Sequence, residues 1–488
     1  MTFQLNRQPS KHNQLLRQSA VYLLARGLPG IINLLVIILY TRLLSPDDYG
    51  LYALIIAIVG LTNSVIFQWL RLGLLRYLPV YLDKTDLLLS IVLKIFLWLV
   101  LITGAVALMV LPFFWSNSVW RGLIFMTLFL LWGQGWFELN LELVRVKLKP
   151  FRYGIISMFK AVIALGLGTV LIYFDLAAYG ALLGLVVGLF LSATLFGRQE
   201  WRGVRFFLAE SGLNHKLFRY GMPLSATAVL TMLVHNSDRY LIAWLIDTNA
   251  VGLYAAGYDL AQQGLGVIMS IVALAGYPLV VRALEQKGFE AAQHQLRQYA
   301  LLFLVIAVPA AIGLAVLAPN IAGVFLGKTF QKSAIALIPP VALAIFISGV
   351  KSYYLDFSFQ LGRHTIGQVW VMLAAALVNI TLNLWWIPNI GIIGAAYATV
   401  TAYGMGFILS LIYGRRFFRL PMWPSGSSRV FYASIVMSGV LWLTRPFHGG
   451  AVLVGQVTLG CLVYGLSIVI FNVGKSRHRI CQYLSSTP

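Results

Sequence analysis

Apolar residues run through this chain in long unbroken stretches, each closed by a short polar segment rich in Lys, Arg, Pro or Gly. A helix that crosses a bilayer needs roughly 20 predominantly apolar residues, and on that measure the pattern predicts about 14 spans. They cover residues 19–44, 49–70, 88–111, 119–144, 154–174, 179–197, 220–246, 252–279, 300–317, 333–355, 366–387, 391–413, 430–444 and 451–471. The thirteenth is the shortest. The expected fold class is all-α and polytopic. No segment between spans is long enough to hold a folded domain.

Composition agrees. Of the 488 residues, 60% are hydrophobic and 10% charged, and the mean hydropathy is +0.84. Soluble domains are closer to one quarter charged. A chain this apolar could not cover itself with polar surface in water, whereas in a bilayer the lipid tails are the solvent. Residues 1–18 are polar, with Arg7, Lys11 and Arg17, and the first apolar run is too long for the core of a signal peptide, so it is expected to remain as an anchor. Cys461 and Cys481 cannot make a disulfide framework.

The net charge of +21 does not point to nucleic acid, because the basic residues form short clusters between spans rather than long runs. With the N-terminus placed in the cytoplasm, about 26 Lys and Arg fall in cytoplasmic segments and about five outside, the asymmetry of the positive-inside rule. The densest inner clusters are Arg145, Lys147, Lys149, Arg152 and Arg198, Arg202, Arg205, Lys216, Arg219. Both termini are expected to be cytoplasmic. Trp115, Trp120, Trp244, Trp385 and Trp386 fall near predicted outer ends, and Trp69 near an inner one, as interfacial aromatics do.

The chain also repeats itself. Tyr49-Gly50-Leu51-Tyr52-Ala53 recurs as Val251-Gly252-Leu253-Tyr254-Ala255, and Asp175-Leu176 followed by Gly180-Ala181 recurs as Asn389-Ile390 followed by Gly394-Ala395. Both matches lay spans 1–6 onto spans 7–12. Six spans per repeat imply two halves in the same orientation, a plan common in secondary transporters. The expected organisation is a six-helix bundle over residues 1–197, a cytoplasmic linker over 198–219, a second six-helix bundle over 220–413, and two added helices with a tail over 414–488.

Chemistry-bearing motifs are sparse. Gly327-Lys328-Thr329 resembles the end of a phosphate-binding loop, but Ala322 stands where that motif requires Gly. No metal cluster and no nucleophile–base set is visible, so catalytic and metal-ligating residues are expected to be none, and the protein is not expected to be an enzyme. What remains is charge inside the spans, which is costly and by default functional. Lys94, Lys160 and Lys351 lie near predicted inner ends and are expected to snorkel to the headgroups. Glu142 is expected to pair with Arg145, three residues on. Four groups are harder to place: Arg26, about two turns inside the first span; Asp238 and Arg239 in the seventh, a turn beyond His235; Asp259 in the eighth; and Glu138 deep in the fourth. Neighbouring residues diverge on a helix, so Asp238 and Arg239 are expected to find other partners. The bland alternative is a set of interhelical ion pairs that clamp the bundle.

Residues 43–54, LLSPDDYGLYAL, following a span that contains Arg26, resemble the oligosaccharide flippase or polysaccharide biosynthesis (Wzx-type) family. So do Arg76-Tyr77-Leu78-Pro79, Asp238-Arg239, Gly252-Leu253-Tyr254, and Ile387-Pro388 followed by Gly391 and Gly394-Ala395-Ala396. The resemblance places the chain in the multidrug/oligosaccharidyl-lipid/polysaccharide exporter superfamily. It implies two bundles around a central cavity and a polyprenyl-diphosphate-linked oligosaccharide moved from the inner to the outer leaflet of a bacterial plasma membrane. Other polysaccharide-assembly membrane proteins are then the expected partners. In that setting Arg26 and Arg239, with Asp238, would hold the diphosphate, while Asp259 and Glu138 would carry a coupling proton or Na⁺, no cofactor being required. Two rivals share the superfamily: a cation-coupled drug antiporter, expected to have about 12 spans and an acidic cavity, and a flippase for the peptidoglycan lipid precursor. A membrane glycosyltransferase or polymerase stands behind both.

Overall fold

The structure, a computed structural model, describes residues 30–115, 118–147, 149–202, 204, 212–421, 424 and 426–475. Among them there is no strand. The helices are α1 (Gly30–Leu43), α2 (Pro46–Ile66), α3 (Gln68–Tyr77), α4 (Thr85–Val110), α5 (Ser118–Val146), α6 (Pro150–Leu171), α7 (Ala177–Gly197), α8 (Leu213–Leu245), α9 (Thr248–Lys287), α10 (Phe289–Val316), α11 (Ala318–Phe325), α12 (Lys328–Leu361), α13 (Ile366–Ile390), α14 (Ile392–Gly414), α15 (Ser427–Leu443) and α16 (Gly450–Ile470). Eleven helical stretches are long and apolar enough to cross a membrane, and two shorter apolar helices, α1 and α15, accompany them. One of the eleven, Phe151–Gly197, is two helices joined at a sharp turn. The fold is therefore all-α with about fourteen spans, as the apolar runs predict.

By packing, the chain forms two compact units. One contains Ile58–Val229; the other contains Ile37–Ala57 and the chain from Leu230 onward. Packing thus departs from chain order, because residues 37–57, which belong to the first repeat in sequence, are part of the second unit. The first unit's core gathers Phe67, Trp69, Leu88, Phe96, Leu143 and Leu217, and the second's gathers Tyr254, Tyr258, Phe303, Leu337, Val341 and Phe357. Outer faces stay apolar. On α4, Leu101, Val106, Leu108 and Met109 are exposed, as a surface solvated by lipid allows.

The turn between α6 and α7 carries Asp175 at φ +62° and Ala177 at φ +45°. The two helices then run antiparallel in close contact: a Cβ on Gly180 would press on Ile172, on Gly184 on Gly168, and on Gly188 on Ala164. The turn between α13 and α14 repeats this arrangement. Gly391 takes φ +68° where Ala177 stands in the first half, and Gly394 abuts Trp386 as Gly180 abuts Ile172. The first half thus places an alanine in a conformation that favours glycine.

The other sequence repeat is a contact as well as a likeness. Within the second unit, a Cβ on Gly50 would overlap the Thr248 carbonyl oxygen, and one on Gly252 would overlap the Pro46 carbonyl oxygen. Each glycine therefore meets the residue four positions before its counterpart. α2 and α9 cross there with backbones touching, and Asp47 accepts hydrogen bonds from Thr248 Oγ1 and Asn249 Nδ2, both at 3.1 Å.

In the first unit, the basic segment between α5 and α6 folds onto one acid. Glu200 is buried and meets Lys147 Nζ at 2.5 Å, Arg152 Nη1 at 2.5 Å and Lys149 Nζ at 3.3 Å. Burial alone would raise its carboxyl, but the hydrogen bonds and charges of Lys147 and Lys149 more than offset this and hold it below the usual 4.5. Glu142 pairs with Arg145 at 3.3 Å, as the spacing predicts.

Three substitutions test this packing by thermal unfolding in detergent. Gly50→Ala forces the α2–α9 crossing apart and should destabilise by about 1–3 kcal/mol, whereas Gly404→Ala, with no atom near its Cβ position, should be nearly silent. Ala177→Gly should raise the melting temperature, because glycine adopts that positive φ without strain.

A pH prediction follows from Glu200. Its depressed folded pKa gives stability that is present above the unfolded value and lost as pH falls through the folded one. Glu200→Gln should therefore melt below the wild type at neutral pH, and the gap should close as pH drops from the usual 4.5 through the lowered folded value.

Candidate functional site

The charged groups inside the helices pair at three places among the described residues, and two of these hold the acids singled out in the sequence. In the second unit, α8 presents His235, Asp238 and Arg239 within little more than one turn. Asp238 and Arg239 diverge, as adjacent helical residues must. Asp238 is 1% exposed, and its carboxylate is met only by neutral donors. Tyr254 of α9 donates to Oδ2 at 2.5 Å, Thr399 of α14 to Oδ2 at 2.6 Å, and Asn383 of α13 to Oδ1 at 2.6 Å. Around this core, Ser237 donates to Asn379 Oδ1 at 2.6 Å and Asn383 Nδ2 donates to the same oxygen at 3.1 Å. Asn383 Oδ1 is buried with no hydrogen-bond partner. The oxygens gathered here are a carboxylate, two amide oxygens and three hydroxyls. Such a set suits a hard cation or a proton and excludes a soft metal. Among the described residues no group of three or more His, Cys, Asp or Glu could hold a metal ion.

Arg239 turns the other way. Its Nη2 forms an ion pair with Asp259 of α9, and its guanidinium lies 5.9 Å from the ring centroid of Tyr258. The arginine side chain is 8% exposed while Asp259 is 28% exposed, so the carboxylate is the open partner. Arg239 Nε is buried without a partner. One turn earlier, His235 Nδ1 lies 3.1 Å from the Tyr403 hydroxyl and 3.5 Å from that of Tyr258. These three side chains, with Gln262, Ser348 and Ser352, line a polar cavity of about 110 Å³ inside the unit.

In the first unit, Glu138 of α5 forms an ion pair with Arg71 of α3 and accepts from Gln134, and Asn63 of α2 donates to its Oε2 at 2.8 Å. Arg71 Nε and Asn63 Oδ1 are buried and unpartnered. Arg26 lies outside the described residues. Of the residues singled out in the sequence, the structure thus joins Arg239 to Asp259, sets Asp238 apart among neutral groups, and gives Glu138 a partner, Arg71, which lies just past the predicted 49–70 span.

One expectation is corrected. Lys351 does not snorkel: it is 3% exposed and its Nζ lies 2.8 Å from Asp356 Oδ2. Asp356 also accepts from Ser410 at 2.8 Å and Gln368 at 3.1 Å. The backbone over Lys351–Leu355 is a π-helical turn, which brings residues five apart onto one side. The Lys-to-Asp spacing of five was the available signal, but the predicted span ended at residue 355 and left Asp356 outside.

The added helices have a place in the second unit. α15 packs along α10 and against α16, and Asn320 of α11 bonds the buried Gln456 of α16 at 2.7 Å. Between α9, α10, α15 and α16 lies a groove of about 410 Å³. Its lining is apolar and includes Ile268, Leu314, Met437, Leu441, Val457 and Tyr464.

Comparison with known proteins adds three findings. The family described as "Polysaccharide biosynthesis protein" matches residues 39–335, and a search of curated proteins finds no match. Among solved structures, the lipid II flippase MurJ in an inward closed conformation aligns with a TM-score of 0.78 at 17% identity, covering 93% of this chain and 99% of that one. An inward-facing multidrug resistance MATE family transporter of the MOP superfamily aligns at 0.54 and 16% identity, covering 82% and 94%. A MOP superfamily transporter from Pyrococcus furiosus, described as having a binding pocket of reverse polarity, aligns at 0.56 and 15% identity with the same coverage. At these identities the likeness is one of fold.

Asp238 offers a direct test of the buried network. Asp238→Ala removes the acceptor shared by Tyr254, Thr399 and Asn383, at about 1–3 kcal/mol for each group left unpaired, and should lower the melting temperature. Asp238→Asn keeps the shape and one acceptor oxygen and should remain folded, but it should lose any stabilisation that Na⁺ gives the wild type.

Proposed function

We propose, from the premise that the chain belongs to the polysaccharide biosynthesis protein family, that it moves a polyprenyl-diphosphate-linked oligosaccharide from the inner to the outer leaflet of a bacterial plasma membrane by alternating access. The observation that carries this reading is the apolar groove between α9, α10, α15 and α16. A substrate that is half lipid needs an apolar track at membrane depth as well as cations for its diphosphate, and the groove and Arg239 occur in one unit. A diphosphate cannot cross hydrocarbon unaided, and an arginine fork matches phosphate oxygens in a way a lysine cannot. Arg239 and Arg26 are the proposed headgroup cations. Asp259, which now holds Arg239, acts as the group a diphosphate displaces. Asp238 and its oxygen cluster take the coupling role, with a proton or Na⁺ as ligand, and Glu138 with Arg71 forms a second titratable pair in the first unit.

A peptidoglycan lipid precursor carries the same polyprenyl diphosphate, and the extent of the likeness to the lipid II flippase favours that substrate as the second reading. The drug-antiporter reading is weaker. The multidrug transporter folds cover 82% of the chain, and a compact drug needs no lipid groove.

Deletion of the gene should abolish surface polysaccharide while lipid-linked units accumulate on the inner leaflet, scored by leaflet-specific labelling of the lipid-linked sugar. Loss of cell-wall synthesis with surface polysaccharide intact would select the second reading. Loss of the lipid-linked unit itself would mean an enzyme and would end the proposal.

A further inference from the structure

We infer that His235, held by Tyr258 and Tyr403, is a proton-binding site whose charge controls how tightly Arg239 grips an anionic headgroup. The inference rests on the reading of Arg239 as a headgroup cation and supplies its regulation. Three observations meet here. His235 and Arg239 are four residues apart on α8, so they lie on one face about one turn, or roughly 6 Å, from each other. Tyr258 touches both, its hydroxyl 3.5 Å from His235 Nδ1 and its ring centroid 5.9 Å from the Arg239 guanidinium. His235 also stands at the wall of the polar cavity of about 110 Å³. A buried water needs about 10–15 Å³ on this measure, so several waters fit beside the ring.

The charges around the ring can be followed element by element. On α8 itself lie Asp238 and Arg239, and Asp238 is engaged by neutral donors. α9 brings Tyr254, Tyr258 and Asp259. α12 contributes Tyr353 at the cavity wall and Lys351, which is committed to Asp356. α13 brings only the neutral Asn379 and Asn383, and α14 brings Tyr403. Among the described residues, Asp259 is the carboxylate paired with Arg239. With His235 neutral, the Arg239–Asp259 pair has no net charge and the guanidinium is occupied. A proton on His235 sets two cations against the carboxylates of Asp238 and Asp259, raises the local charge from −1 to 0, and loosens the hold of Asp259 on Arg239 in favour of a diphosphate. By reciprocity, a bound headgroup raises the proton affinity of His235 by the same factor.

The test uses the full-length protein in detergent and a sugar-diphospho-polyprenyl probe, a diphosphate diester with no group of its own that titrates near neutrality. The wild type should bind the probe about 5-fold or more tightly at low pH, where the imidazole is charged, than at high pH. At intermediate pH, where the free imidazole is only partly charged, binding should take up a fraction of a proton, read with an indicator dye in weak buffer, and at low pH, where the ring is already charged, it should take up none. His235→Gln should retain the weaker, high-pH affinity at every pH and take up none. Equal wild-type affinity at both pH values, no proton uptake by the wild type at intermediate pH, or pH dependence that survives His235→Gln would each overturn the inference while leaving the headgroup reading intact. No binding at any pH would overturn both. The proton-uptake measurement on the wild type decides the matter even if the variant fails to fold.

Discussion

An ionised side chain inside a membrane has to be met by an opposite charge, by several hydrogen bonds or by water, since hydrocarbon offers none of these. Much of the interior of this protein follows from that requirement. Arg239 is met by Asp259, Arg71 by Glu138, and Lys351 by Asp356, each pair tying together different helices or different turns of one helix. Asp238 is met instead by a hydroxyl from α9, an amide from α13 and a hydroxyl from α14. Four helices of one unit are fixed around a single carboxylate in this way. Removing the acid would leave the buried Tyr254 hydroxyl without its acceptor and reduce Thr399 and Asn383 to their bonds with the Ala395 carbonyl and Asn379 Oδ1.

The pairs differ in how open they are. Lys351 and Asp356 have side chains 4% and 1% exposed, a closed pair with additional donors and no room for a ligand. In the Arg239–Asp259 and Arg71–Glu138 pairs the acids are 28% and 21% exposed, and each arginine retains a buried Nε without a partner. An anion arriving beside either arginine would compete with a carboxylate already at the surface, rather than having to open a sealed salt bridge.

Small residues do the complementary work of bringing backbones together. Without a hydrophobic drive between helices in lipid, close approach depends on residues that let backbones touch. The reciprocal meeting of Gly50 and Gly252 and the matched hairpin turns at Ala177 and Gly391 show how two short sequence likenesses became elements of a repeated architecture. α15 and α16 have no counterpart in that repeat. Their packing against α10 creates the apolar groove on which the proposal of a lipid-linked substrate rests.

The sequence alone determined the number and placement of the spans, the all-α class and the repeat, because the thickness of a bilayer and the cost of an unpaired peptide group act on local runs of residues. It also singled out Asp238, Arg239, Asp259 and Glu138, since a charge in an apolar run is anomalous wherever it lies. Partners were a different matter. Asp259 lies 20 residues from Arg239, and Asn383 and Thr399 lie 145 and 161 residues from Asp238, so no spacing rule could join them. Asp356 escaped notice because a π turn, which apolar periodicity does not reveal, carries it back to Lys351. Only the packing of α8, α9, α12, α13 and α14 against one another decided which charges are sealed and which stay open, because that depends on distances between helices and not on positions along one.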